Sequence, residues 1–324
     1  MHGDPQEDHT VKIRNARSSR LTDAAFRLLV VGLSLLVVLF FAAIALVLMD
    51  RSYYAVVSNG VQFLFGTVWD VSLGLYGAAP AIVGTVVSAT LAVLLAIPIS
   101  IGIAIYFTEY APLGARFYLS IFIDLLAAIP SVIYGIWGLW IIAPLVKVYV
   151  QQPAIGAIGW IPLFAGPAYG ISISLASLIL TIMVIPIITS FTTELLSRTP
   201  VSLKEGMGSL GATKWETVRH VGLPFARVGI FAAIILAVGR AFGETMAVTM
   251  VIGNSYQWPF TTASIFSPAT TITSKIASEL YEAFSTLQLS SLIELSLVLL
   301  AISLAINLVS RLVIRRISKG GSAP

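Results

Sequence analysis

Two ionisable residues stand where the sequence otherwise calls for hydrocarbon. Arg240 and Glu244 fall in the apolar run 227–253, and Arg240 lies thirteen residues past Arg227, about 20 Å along a helix rising 1.5 Å per residue. The i,i+4 spacing predicts a pair along one helix face. An arginine near bilayer centre costs about 2.5–3.5 kcal/mol even on the mildest insertion scale, so the pair must face protein or water. A guanidinium keeps its charge and offers a fork of donors suited to an oxyanion. On that reading Arg240 lines the route of an anion, and Glu244 holds the arginine while the route is empty. The competing reading is a static pair that fixes the packing of its helix. Asp124 and Glu294 lie close to the ends of their apolar runs and read as structural. Asn307 reads as an interhelical hydrogen-bonding residue.

A second block of chemistry is the stretch SLKEGMGSLGATKWETVRHVGLP, Ser202 to Pro224. Ser202 with Glu205, and Thr213 with Glu216, match the capping box that satisfies free N–H groups at a helix start. Pro200 also fits an early first turn, with Thr199 as the alternative cap. Gly211 falls between the two starts, where a left-handed residue ends one helix, and Pro224 is expected to stop the second. The expectation is two short helices meeting at an angle outside the membrane. Such an elbow either carries a push into the spans on both sides or lies on the headgroups as an interfacial hairpin.

The elements that position these residues follow from composition. With 57% hydrophobic and 10% charged residues in 324, the chain has too little polar surface for a soluble globule and belongs in a bilayer. Six windows are long enough to cross one, roughly 25–49, 80–107, 118–146, 170–193, 227–253 and 289–310. The first is longer than the core of a cleavable signal and is expected to be retained. The class is therefore an all-α polytopic membrane helix bundle with six transmembrane helices. Fifteen of the nineteen lysines and arginines fall on the side of the termini and the elbow, so both termini and the elbow are expected in the cytoplasm. The expected organisation is a cytoplasmic tail 1–24, irregular over 1–20, a permease domain 25–310 and a cytoplasmic tail 311–324. The cytoplasmic loop is 199–226, and the outer loops are 50–79, 147–169 and 254–288. In the last of these, Ile276, Leu280, Phe284 and Leu287 recur at helical spacing from Ser274, as in a short amphipathic helix.

Other classes are excluded. The net charge of +4 comes from residues flanking apolar runs, not from one basic stripe, so nucleic acid is not a partner. Zero cysteines remove disulfides and thiolate chemistry. The three histidines, His2, His9 and His220, are dispersed and form no metal cluster.

The elbow carries a resemblance. Glu205-Gly206-Met207, three residues, Gly211, nine residues, then Val221-Gly222-Leu223-Pro224 resembles the "EAA" loop of permease subunits in ATP-binding-cassette importers, E-A-A-x3-G-x9-I-x-L-P. Gly206 and Met207 replace the two alanines, and Val221 the isoleucine. IAIYFTEYAP (103–112), LAAIPSVIYGIWGLW (126–140) and GRAFGETMAVTMVIGN (239–254) further resemble the permeases of phosphate-specific importers of this kind. The resemblance implies a type I permease fold in a bacterial or archaeal cytoplasmic membrane. It also implies a second related permease, two cytoplasmic ATPase subunits and an external phosphate-binding protein, with inorganic phosphate as cargo. It carries the family's charged pair onto Arg240 and Glu244, and the docking of Glu205, Gly206, Met207, Gly211, Val221, Leu223 and Pro224 onto an ATPase subunit. No Gly-Lys dipeptide occurs, so the phosphate-cradling loop of P-loop ATPases is absent. ATP and Mg²⁺ are expected to be used by the partners, and this chain is expected to be neither an enzyme nor a cofactor carrier. The alternatives are a permease for sulfate or molybdate, an ion-coupled secondary transporter using Glu244, and a membrane enzyme, for which no nucleophile or metal constellation is found.

Overall fold

The computed structural model describes residues 5–257, 259 and 263–319. The chain divides into two units, Met1–Arg51 and Ser52–Pro324. Helix α1, Pro5–Asn59, includes the whole first unit from its fifth residue. The expected irregular tail is thus helical from Pro5, because a proline suits a first turn and neither Gly nor Pro interrupts residues 6–31. At the other end the helix of the sixth span runs on to Lys319. Residues 1–4 and 320–324 of the expected tails lie outside the described residues.

Six helices among the described residues are long and apolar enough to cross a membrane. They are Asp23–Asn59 within α1, α2 Ala79–Tyr110, α4 Ser131–Ile158, α5 Ile173–Ser197, α7 Lys214–Gly243 and the Thr286–Arg316 part of α10, Thr286–Lys319. Between them lie α3 Leu113–Ala128, α6 Val201–Ser209, α8 Met246–Val251 and α9 Ile272–Glu279.

The third span differs from expectation. The window 118–146 is split at Pro130, because the proline ring pushes the preceding residue out of the α region: Ile129 is extended (φ −68°, ψ 127°) and α3 ends at Ala128. The Tyr134 hydroxyl donates to the Leu126 carbonyl across this break at 2.7 Å. Among the described residues there are four wide i→i+5 turns: Tyr106–Tyr110 closes α2, while Gly138–Ile142, Lys147–Gln151 and Val218–Gly222 interrupt helices that continue. Each ends two residues before a proline: Pro112, Pro144, Pro153 and Pro224. A proline cannot donate to the carbonyl one turn back and collides with it. At Pro144, Pro153 and Pro224, where the helix continues, the widened turn ahead of the ring moves that carbonyl away and leaves no donor missing.

Lipid offers helices no hydrophobic gain on association, so packing rests on close approach and interhelical hydrogen bonds. In α2, Ser88, Ala92, Ala96 and Ser100 recur every four residues and are buried. This small-residue ridge lets α5 come close enough for Thr181 Oγ1 to donate to the Ala92 carbonyl (3.2 Å) and Ser100 Oγ to that of Ile185 (3.3 Å).

At the end of the bundle opposite the elbow, the loop after α8 folds back into the protein. Ile173 N–H donates to the Ser267 carbonyl (3.3 Å), and Ser174 N–H to that of Ile265 (2.9 Å), satisfying the first turn of α5. A Cβ at Gly84 would sit 1.9 Å from the Thr270 carbonyl oxygen, so only glycine admits this loop against α2. The expected amphipathic helix is shifted. α9 begins at Ile272, because Thr271 and Ser274 form the capping box; Phe284 lies outside it and is exposed, and Leu287 opens α10.

The same end holds a caged cation. Lys275 Nζ lies 4.9 Å from the Trp69 ring centroid and 4.6 Å from that of Tyr256, and pairs with Glu279. Trp69 Nε1 donates to the other Glu279 oxygen at 2.9 Å, and the Tyr256 hydroxyl donates to the Gly77 carbonyl. Trp69 opens the two-stranded antiparallel hairpin β1 Trp69–Asp70 and β2 Leu75–Tyr76, so the cage ties residues 69–77 to residues 256–279. Burial pushes the Lys275 ammonium below the ordinary lysine value, with Glu279 pulling it back. A charge held this way orders the loops more than it stabilises them. Lys275→Met strands Glu279 and is expected to lower stability by roughly 1–3 kcal/mol, read as a lower melting temperature in detergent. The Lys275→Met/Glu279→Gln double variant should recover most of that loss.

Candidate anion pathway and coupling elbow

The elbow is built from α6, a turn and the start of α7. The first predicted capping box does not form: α6 starts at Val201 behind Pro200, which places Ser202 inside the helix. Pro200, with its fixed φ, sets the start instead. The second forms as expected. Thr213 N–H donates to Glu216 Oε2 (2.7 Å) and Glu216 N–H to Thr213 Oγ1 (3.3 Å). Gly211 has φ +80°, the left-handed conformation that the turn demands.

Pro224 does not stop the second helix. The wide turn Val218–Gly222 precedes it, and the helix continues from Lys214 to Gly243. The second arm of the elbow and the fifth span are therefore one rod, and Lys214 and Arg240 are about 39 Å apart along it. Val221 and Leu223 are half-buried at the base of this rod, while Glu205 and Gly206 are exposed on α6 with Met207 half-buried. A methyl added at Gly206 would meet nothing within 4 Å, so the glycine at this alanine position leaves no void.

Several elbow residues escape sequence reasoning. Leu210, 84% exposed, and Trp215, 52% exposed, display apolar surface at the turn; large apolar residues inside a polar loop were the available signal. Glu109, at the end of α2, pairs with Lys204 of α6, and its backbone carbonyl accepts from Lys214 Nζ at 3.2 Å. The ammonium of Lys214 also lies 5.7 Å from the Tyr110 ring centroid. Both arms of the elbow are thus tied to the second span, a long-range contact with no local signature. Glu109→Gln is expected to leave helix content unchanged while speeding tryptic cleavage after Lys204; an unchanged cleavage rate would show that the contact does not hold the elbow.

Arg240 and Glu244 do not form the expected pair. α7 ends at Gly243, and Glu244 is extended (φ −69°, ψ 126°). Glu244 Oε1 instead accepts from the Ala247 N–H at 3.3 Å, capping α8, and its carbonyl accepts from Thr273 Oγ1 at 2.9 Å. These contacts satisfy the groups freed by the break, as irregular backbone at membrane depth requires. Among the described residues the Arg240 guanidinium makes no ion pair or hydrogen bond. Both side chains line an open cavity of about 830 Å³ walled by α7, α10 and Ile187 of α5. Methyls added at Gly239 or Gly243, also in the wall, would meet nothing within 4 Å. An unneutralised guanidinium beside open space can hold an anion.

Of the weaker candidates, Asp124 lines a separate polar cavity of about 220 Å³ with Arg116 and Thr189. Glu294 is buried and accepts from Asn59 Nδ2 at 3.4 Å, in a structural position. Asn307 lines the Arg240 cavity and donates within its own helix, to the Ser303 carbonyl.

The chain is similar to proteins that carry this architecture. The phosphate transport system permease protein PstC of Mesorhizobium japonicum is 41% identical over 305 residues, 93% of this chain and 92% of that protein. The PstC of Haemophilus influenzae is 43% identical over 290 residues (88% and 91%), and the probable PstC of Methanocaldococcus jannaschii 35% over 272 (81% and 84%). Among solved structures, a chain of a bacterial alginate ABC transporter superposes with a TM-score of 0.60 at 16% identity, over 90% of this chain and 95% of that one. An inward-facing MetNI methionine ABC transporter gives 0.54 at 17% identity, over 73% and 94%. These two share the fold. Residues 96–319, which contain the elbow, the fifth span and the cavity, match the family model, and the chain belongs to the binding-protein-dependent transport system inner membrane component family.

Proposed function

We propose that this chain is a permease subunit of an ATP-binding-cassette importer that carries inorganic phosphate into the cytoplasm by alternating access. The observation that carries the reading is the unneutralised Arg240 lining an open cavity on the same continuous helix whose other end is the elbow. Kinship with phosphate transport permeases over some nine-tenths of the chain supports phosphate as the cargo.

In this mechanism the elbow lies in the cytoplasm, as do both termini. Leu210, Trp215 and the Glu205–Met207 face dock on separate ATPase subunits, which use ATP and Mg²⁺. Closure of those subunits displaces the elbow, and the α7 rod carries the displacement to Arg240. An external phosphate-binding protein engages loops 50–79 and 254–288, whose caged junction and exposed Tyr281 and Phe284 present a surface outside the bundle. A second related permease closes the open side of the cavity. The anion then exchanges water for guanidinium and never enters hydrocarbon. The chain itself catalyses nothing and holds no cofactor.

Uptake of labelled phosphate by cells or proteoliposomes with the full importer tests this. Arg240→Gln is expected to abolish uptake at unchanged expression, and Glu244→Gln to reduce it; normal uptake in both would remove the pair from the mechanism. A steric test is independent of charge. Gly239→Ala is expected to leave uptake near normal and, by helix propensity, to stabilise α7 by about 1 kcal/mol. Gly239→Phe projects a ring into the cavity beside Arg240 and should block uptake while the complex still assembles.

A further inference from the structure

The cavity that holds Arg240 has a second wall. Asn307, Ser310 and Arg311 of α10 line it together with the α7 residues. Asn307 and Arg311 are four residues apart, so they share a helix face. The Asn307 amide donates through Nδ2 to the Ser303 carbonyl at 3.0 Å. That bond fixes its orientation and leaves Oδ1 as an acceptor. Arg311 makes no ion pair or hydrogen bond among the described residues. The cavity therefore holds two guanidinium groups against one carboxylate, and that carboxylate already caps α8. A cation near the end of the last span is explained by topology alone. Its opening onto the same cavity as Arg240 is not.

The order along the cavity follows from the alternation of the spans. α7 and α10 run in opposite directions, so the lining residues of α7 nearest the elbow, Ala232 and Ile235, lie level with the C-terminal lining residues of α10, Arg311 and Ile314. Arg311 is thus on the elbow side and Glu244 at the far end. The same lining offers two hydrogen-bond acceptors, the Glu244 carboxylate at the far end and Asn307 Oδ1 one helical turn from Arg311. At neutral pH phosphate carries both bare oxygens and at least one O–H, whereas sulfate has no proton to donate. A wall that alternates donors with acceptors matches the proton-bearing anion and leaves an unsatisfied acceptor against the other.

We propose that Arg311 is a second anion-binding residue of the pathway, taking phosphate from Arg240 on the elbow side, with Asn307 Oδ1 accepting a hydrogen bond from the anion's O–H in the transfer. The proposal rests on Arg240 lining the route. The chain contains no cysteine, so Arg311→Cys introduces a single thiol that can be charged at will after the complex has folded. The complete importer, with its other subunits cysteine-free, is reconstituted with the binding protein, and uptake is measured at sub-saturating phosphate. Arg311→Cys is expected to lower uptake about tenfold, the worth of one charge-assisted hydrogen bond. A thiol-linked aminoethyl group should restore most of it, and a thiol-linked sulfonatoethyl group of similar size should not. Equal responses to the two reagents, or normal uptake by Arg311→Cys while Arg240→Gln is impaired, overturns the assignment of Arg311 and leaves the pathway reading standing. Normal uptake by Arg240→Gln overturns the pathway reading and this inference with it. Asn307→Leu, at unchanged assembly, should lower phosphate uptake several-fold; unchanged uptake removes Asn307 from the transfer.

Discussion

A guanidinium cannot be left in hydrocarbon. About 20 Å past Arg227 in the fifth span the chain places one without a carboxylate partner, and much of the surrounding structure answers to that placement. Gly239 and Gly243 keep the wall beside it free of side chains. The helix stops immediately after, and the groups freed by the stop are taken up by Ala247 and Thr273. The loop that supplies Thr273 is held in place by the glycine at position 84, which alone lets Thr270 approach α2.

The second constraint is continuity. Pro224 sits where the elbow meets the membrane, and an ordinary helix would kink there. The widened turn Val218–Gly222 absorbs the proline, so the chain from Lys214 to Gly243 remains one helical body. The same device recurs before Pro144 and Pro153. At Pro112 and Pro130 the preceding residue, Ala111 or Ile129, turns extended and the helix ends.

Class, number of spans and the place of the elbow were legible because they rest on local chemistry: apolar run length, a Thr-x-x-Glu box and a glycine in the left-handed region. The family followed from motifs at fixed spacing. What the sequence obscured was set by contacts distant along the chain. Arg240 and Glu244 at i,i+4 look like a pair until the helix is seen to end between them, and that end depends on Thr273, twenty-nine residues away. Asn307 and Arg311 looked like a packing residue and a topological charge because nothing in one helix reveals which cavity it borders. Ser202 has the spacing of a cap, but Pro200 two residues earlier starts the helix by itself.

The two lysines that hold Glu109 set how motion at the elbow is distributed. Because Lys204 comes from one arm and Lys214 from the other, neither arm can tilt without dragging the end of α2. A torque applied to the elbow is thereby shared between two antiparallel spans that flank α5, giving a parallelogram linkage in place of a single hinged bar. Such a linkage translates its far end with little change of tilt, so a small sideways stroke at one surface would reach the opposite surface as a sideways step, not as a rotation.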